Sequence, residues 1–160
     1  VAKKPVYTLE FTPDYTFHVI AIFCAYRDYK LCFEINRKLF LGLQRFADKE
    51  ILLDKKGSSG QFPYFFFLSE DEEEYYLIEN RAHNGFFLVP EMRQTDYFLV
   101  IKNPGYAFDL NEHVQRLNSI KLVSRALSSD PKSLKSAENF LVFEPVKETM
   151  EVRPTLPPLL

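Results

Sequence analysis

Apolar and polar residues alternate over Val6–Phe11 (VYTLEF), which predicts a strand with one face on a core, ended by Pro13 and Asp14. Phe17–Tyr26 is apolar almost throughout and fits either a buried strand or a short helix. Asp28–Phe40 has helical period: Leu31, Ile35 and Leu39 form one stripe with Cys32 and Asn36 beside it, while Arg27, Lys30, Glu34, Arg37 and Lys38 turn to water. Asp28 is the expected N-cap and Gly42 the expected stop. Two short strands are predicted at Leu43–Phe46 and Glu50–Leu53, then a polar loop at Asp54–Gln61. Phe62–Ser69 (FPYFFFLS) predicts an aromatic strand with Pro63 near its start. The acidic run Glu70–Glu74 reads as the tip of a hairpin that returns along Tyr75–Glu79.

After a loop at 80–85, Phe86–Val89 and Tyr97–Ile101 are apolar runs that predict two more strands. A strand at Tyr97–Lys102, a Pro104–Gly105 turn, a helix at Leu110–Asn118 and a strand at Ile120–Leu127 make a βαβ pattern, whose crossover sets its two strands parallel. Asp130–Pro131 opens a turn or short helix, and Phe140–Phe143 reads as a last strand. The expected fold is α+β: a mainly antiparallel sheet packed by two principal helices, with the βαβ unit at its C-terminal end. Residues 1–144 read as a single domain and 145–160 as an extended tail carrying Pro145, Pro154, Pro157 and Pro158.

Composition sharpens the core. The 160 residues include 16 Phe and 9 Tyr but no Trp, so aromatic rings supply much of the buried area. A net charge of −2, without a run of Lys and Arg, argues against nucleic-acid binding, which needs a concentrated basic face. The longest apolar stretch is about half of what a bilayer requires, so no membrane association is expected. Cys24 and Cys32, eight residues apart, match neither a metal pair nor a redox CxxC and read as small buried hydrophobes of a protein in a reducing, cytoplasmic setting.

The most specific stretch is VPEMRQTDY at 89–97. Val89-Pro90-Glu91, three residues, then Thr95-Asp96-Tyr97 resembles the signature of the IPExxxVDY family of uncharacterised bacterial proteins, with Val89 for its Ile and Thr95 for its Val. DYKLCFEINRKL at 28–39 and LKSAENFLVF at 134–143 look similar too. The resemblance implies a small cytosolic bacterial protein and carries no activity, ligand or catalytic residue. The βαβ pattern looks like half of a ferredoxin-like or ACT-like module, an analogy of fold alone.

Glu91 and Asp96 can be read as an acid–base pair or as cation ligands. They can equally be read as braces, with Pro90 fixing the chain, Asp96 accepting turn amides and Tyr97 opening a buried strand. Bracing is the expectation. Arg27, Tyr29 and Asn36 could line a pocket or tie the first helix to the sheet. His18, His83 and His113 share no metal spacing, and Gly57–Gly60 (GSSG) lacks the Lys of a phosphate loop. No catalytic residue, metal or cofactor is predicted. The tail PTLPPLL offers Leu156, Pro157, Pro158, Leu159 and Leu160 as interaction anchors. The expected function is a non-catalytic protein-interaction or adaptor domain, acting on a protein partner or by self-association. The alternatives are an ACT-like small-ligand regulatory domain and an enzyme using Glu91 and Asp96.

Overall fold

Every strand of the sheet pairs antiparallel with its neighbours, in the order β2-β3-β4-β5-β1-β6. The strands are β1 (His18–Phe23), β2 (Gln44–Leu52), β3 (Ser59–Leu68), β4 (Glu74–Glu79), β5 (Tyr97–Lys102) and β6 (Arg125–Ser129), with helices α1 (Asp28–Leu39) and α2 (Leu110–Asn118). This computed structural model describes residues 15–145. The strand expected at Val6–Phe11 and the tail with Leu156, Pro157, Pro158, Leu159 and Leu160 lie outside the described residues. Among those described, no helix is long and apolar enough to cross a membrane.

The unbroken apolar runs have one cause: the sheet is covered on both sides, so neither face of its central strands meets water. Ile20 and Ile22, Tyr75 and Leu77, and Tyr97, Leu99 and Ile101 face α1 and α2, where Leu31, Ile35 and Leu117 complete a core. Val19 and Ala21, Tyr76 and Ile78, and Phe98 and Val100 face a second core with Phe62, Tyr64, Phe66, Leu88, Phe140 and Phe143. Phe17–Tyr26 is thereby a strand, β1, followed by a connector.

Several expectations are corrected. The two strands of the βαβ unit, β5 and β6, run parallel as the crossover requires, but they are not neighbours. β5 and β6 each bond to β1, which lies between them. The apolar β1 has two edges of backbone groups to satisfy, and pairing both leaves none stranded in the core. Ile120–Leu127 is not one strand. Ile120 and Val123 anchor two successive turns in the first core, and β6 starts only at Arg125. Asn118 fixes that start by bonding both backbone groups of Ala126 at 2.8 Å.

Phe140–Phe143 is no strand either: Phe140–Val142 ends a 3₁₀ segment, Ala137–Val142, and Phe143 is its extended C-cap. Three residues per turn bring both rings to the sheet, whereas a strand would send residues three apart to opposite faces. Phe86–Val89 forms only an isolated bridge, Arg81 to Phe87, because Asn80 takes the amides of Leu88 and Val89.

The strands expected at Leu43–Phe46 and Glu50–Leu53 are one, β2, with a bulge between Phe46 and Lys49. The bulge lies opposite Pro63, the one β3 residue with no amide to donate; Pro63 is mid-strand, not near its start, because β3 begins at Ser59. α1 is capped at Arg27 without a side-chain bond, and Asp28 accepts only the Tyr29 amide, at 2.7 Å. The helix stops at Phe40, in the left-handed region at φ 56°, rather than at Gly42.

Lys102, at the end of β5, is half-buried against the C-terminal segment. Its Nζ donates to the Phe143 carbonyl at 2.5 Å and lies 5.1 Å from the Tyr76 ring. Burial lowers its pKa from 10.5 to about 8, against the pull of Glu74 and Glu144. Below about pH 8 the ammonium is charged folded and unfolded; from there to 10.5 it is charged only when unfolded, so folding gains stability as pH rises through that window. The stability advantage of Lys102→Met over the wild type should therefore shrink by roughly 2–3 kcal/mol across that window, read by denaturant melts at each pH. A constant difference would contradict it.

Candidate functional site

The VPEMRQTDY loop is held by one amide. Asn80, just past β4 and fully buried, donates from Nδ2 to the carbonyls of Met92 (3.0 Å) and Thr95 (2.8 Å) and accepts the Val89 amide at 2.9 Å. Its backbone bonds Leu88 and Asp96. Pro90–Met92 makes one 3₁₀ turn between these contacts.

The two carboxylates of the motif engage different partners. Glu91 accepts the Ser136 amide (2.7 Å) and hydroxyl (2.9 Å), fastening the segment that delivers Phe140. Burial would raise its pKa, but the bonds from its own amide and from Ser136, with Lys135 nearby, hold the carboxyl below its ordinary range. Asp96 Oδ2 accepts the Cys24 amide at 2.8 Å, joining the motif to the end of β1. The Tyr97 hydroxyl donates to the Tyr26 carbonyl at 2.7 Å; burial, then Glu79, pushes its phenol well up. Glu91, Asp96 and Tyr97 each hydrogen-bond backbone and Pro90 opens the 3₁₀ turn; of the four, Asp96 and Tyr97 border a cavity.

That cavity is an open cleft of about 350 Å³ where the C-terminal ends of β1 and β4 meet the start of β5. Its walls are the connector Cys24–Arg27, then Glu79, Arg81 and Phe87, and on the motif side Arg93 with Thr95–Tyr97. Arg81 and Arg93 sit 5.9 and 5.6 Å from the Phe87 ring. Glu79 is half-buried; desolvation, then Asp28, raises its pKa, against His83 and Arg45. Burial raises the Cys24 thiol above its ordinary value, and Cys32 rises to about 12 for the same reason, which disfavours the thiolate at both. Both are free and buried.

Of the trio Arg27, Tyr29 and Asn36, only Arg27 lines this cleft. Asn36 braces, exchanging hydrogen bonds with both backbone groups of Leu43 at 2.9 and 3.1 Å. Tyr29 projects outward. With it stand Tyr26, Phe33 and Phe40, exposed by 47, 52, 63 and 81% in the order Tyr26, Tyr29, Phe33, Phe40. Tyr29 and Phe33, four residues apart within α1, lie on its outer face opposite Leu31 and Ile35; Tyr26 precedes the helix and Phe40 is its left-handed C-cap. Helical period had suggested only charged residues there. The signal was a second apolar stripe on an already amphipathic helix.

The histidines serve packing and pairing. His18 stacks on Phe108 at 5.1 Å, His113 lies tilted to the same ring at 4.5 Å, and His83 pairs with Asp48 at 3.3 Å. Gly60 belongs to β3, where a Cβ would meet Ala82 at 3.0 Å, so GSSG is partly buried strand. The acidic tip is tied down as well, by Asn103 on the Glu72 carbonyl and the Gly105 amide on Glu73. Among the described residues, no group of three or more His, Cys, Asp or Glu could hold a metal ion. No family model, curated protein or solved structure matches this chain.

Proposed function

We propose that this chain is a non-catalytic domain that binds another protein through the outer face of α1. The carrying observation is the row Tyr26, Tyr29, Phe33 and Phe40. Four large rings exposed on the outer face and at the two ends of α1 offer apolar surface of the kind found at interaction sites. Phe40 adds a second cost, because it holds a left-handed conformation that glycine adopts freely. Around the row stand Arg27, Lys30, Arg37 and Lys38 against Asp28 and Glu34, an excess of two positive charges, so the partner fitted to it has an apolar strip with an acidic rim. The buried free thiols suit a cytoplasmic protein, and we read the motif as kinship with the IPExxxVDY family.

The test is affinity capture under mild cross-linking with the wild type, Tyr29→Ser/Phe33→Ser and the remote control Tyr106→Ser. The double variant should keep its stability within about 1 kcal/mol, because both side chains are exposed, and should lose its captured proteins at least about tenfold. Equal capture by all three would refute the reading.

A second reading, a ferredoxin-like or ACT-like regulatory domain, is favoured by one observation: β1 lies between β5 and β6, with α1 and α2 on one face. Thermal-shift screening against amino acids and nucleotides tests it. No stabilisation at ligand excess would count against it.

A further inference from the structure

The cleft beside the motif carries charge that the fold does not use. Arg27, Arg81 and Arg93 come from three segments and line one opening. Arg37, Arg45 and Arg116 each pair with a carboxylate, but among the described residues none of the cleft arginines has one within 4.0 Å. Glu79 and Asp96 also line the cleft, which leaves its walls an excess of one positive charge; Asp96 accepts the Cys24 amide as well. The Phe87 ring steadies Arg81 and Arg93, which reduces the freedom their long side chains would lose on binding.

We propose that this cleft binds the phosphoryl group of a phosphorylated ligand. Guanidinium forks match phosphate oxygens with paired, charge-assisted hydrogen bonds, and three of them suit a dianion better than a single carboxylate. A cavity of about 350 Å³, with Tyr26, Phe87 and Tyr97 in its walls, leaves room for whatever carries the phosphate. Tyr26 and Arg27 belong to both the cleft and the α1 face, whereas Arg81 and Arg93 belong to the cleft and not to that face, so their variants separate the two readings.

The experiment is NMR titration of the described domain within its full chain, following backbone amides and arginine Nε–H signals. The probes are inorganic phosphate, adenosine monophosphate and a short phosphoserine peptide, with the unphosphorylated peptide as control. Saturable shifts centred on Arg27, Arg81, Arg93 and the Cys24–Arg27 connector are expected, with Kd of about 1 mM or tighter for at least one organic probe. The organic arm that binds more tightly than phosphate identifies the source as a small metabolite or a phosphoprotein. Arg81→Gln/Arg93→Gln should weaken binding at least about tenfold with its amide spectrum otherwise preserved, and Arg81→Lys/Arg93→Lys should recover only part of the loss. The proposal is overturned by shifts that fail to saturate, by shifts spread equally over Arg37, Arg45 and Arg125, or by undiminished binding in the Gln variant.

Discussion

Asn80→Ala is expected to destabilise the protein by roughly 3–5 kcal/mol, the largest effect of any polar substitution considered. The side chain is fully buried and makes three hydrogen bonds to backbone on both sides of Pro90–Met92. Alanine leaves the Val89 amide and the carbonyls of Met92 and Thr95 without these partners, and each orphaned buried group costs about 1–3 kcal/mol. Asn80→Asp should be worse near neutrality, because a carboxylate would face two carbonyl oxygens. Its pKa would be raised in the folded state, so this variant regains stability as pH falls through that value. Chemical denaturation of both variants at neutral and mildly acid pH makes the comparison. A loss under about 1 kcal/mol in Asn80→Ala would mean that the loop is held by something else.

The second large effect concerns the cover of the sheet's other face. Phe140→Ala and Phe143→Ala should each cost about 3–5 kcal/mol. Both rings are almost wholly buried; Phe140 lies edge-on to Phe98 at 5.3 Å and Phe143 edge-on to Tyr64 at 5.1 Å. The pair of values discriminates between conformations. In a strand, residues three apart point opposite ways, and one truncation would be cheap. Two comparable losses in melting experiments would show both rings on the sheet, where the 3₁₀ turn ending at Val142 and its C-cap place them. Glu91 links this segment to the motif, so Glu91→Gln should weaken the Ser136 contacts while leaving the Arg-lined cleft formed.

The parts of the fold legible in the sequence are those governed by local period. α2 begins and ends where its spacing placed it, α1 differs by one residue, and the hairpin at 70–74 turns at its acidic run. What local period could not show was pairing at a distance. Whether β1 would separate β5 from β6 depends on edges contributed by residues about 75 to 110 positions away. The 3₁₀ segment escaped because apolar residues three apart suit a loose apolar run as well as a tight turn.

The candidate site was legible in a similar, partial way. Asp96 and Tyr97 were marked by their motif and do border the cleft. Arg81, Phe87 and Arg93 were not, because they stand in a polar loop, an apolar run and the middle of the motif, and only folding brings them together. Asn80 looked like any residue ending a strand. Its importance lies in three backbone groups met between nine and fifteen residues later.

The account's central claim, that the outer face of α1 is where this domain meets its partner, is tested most directly by site-specific photo-cross-linking in cells. Phe33 is replaced by a benzophenone amino acid, with Tyr106, also exposed, as the control position. The account predicts a discrete cross-linked protein other than this chain from position 33, carrying an acidic surface, and none of it from position 106. No adduct from position 33, or the same adducts from both positions, would contradict it.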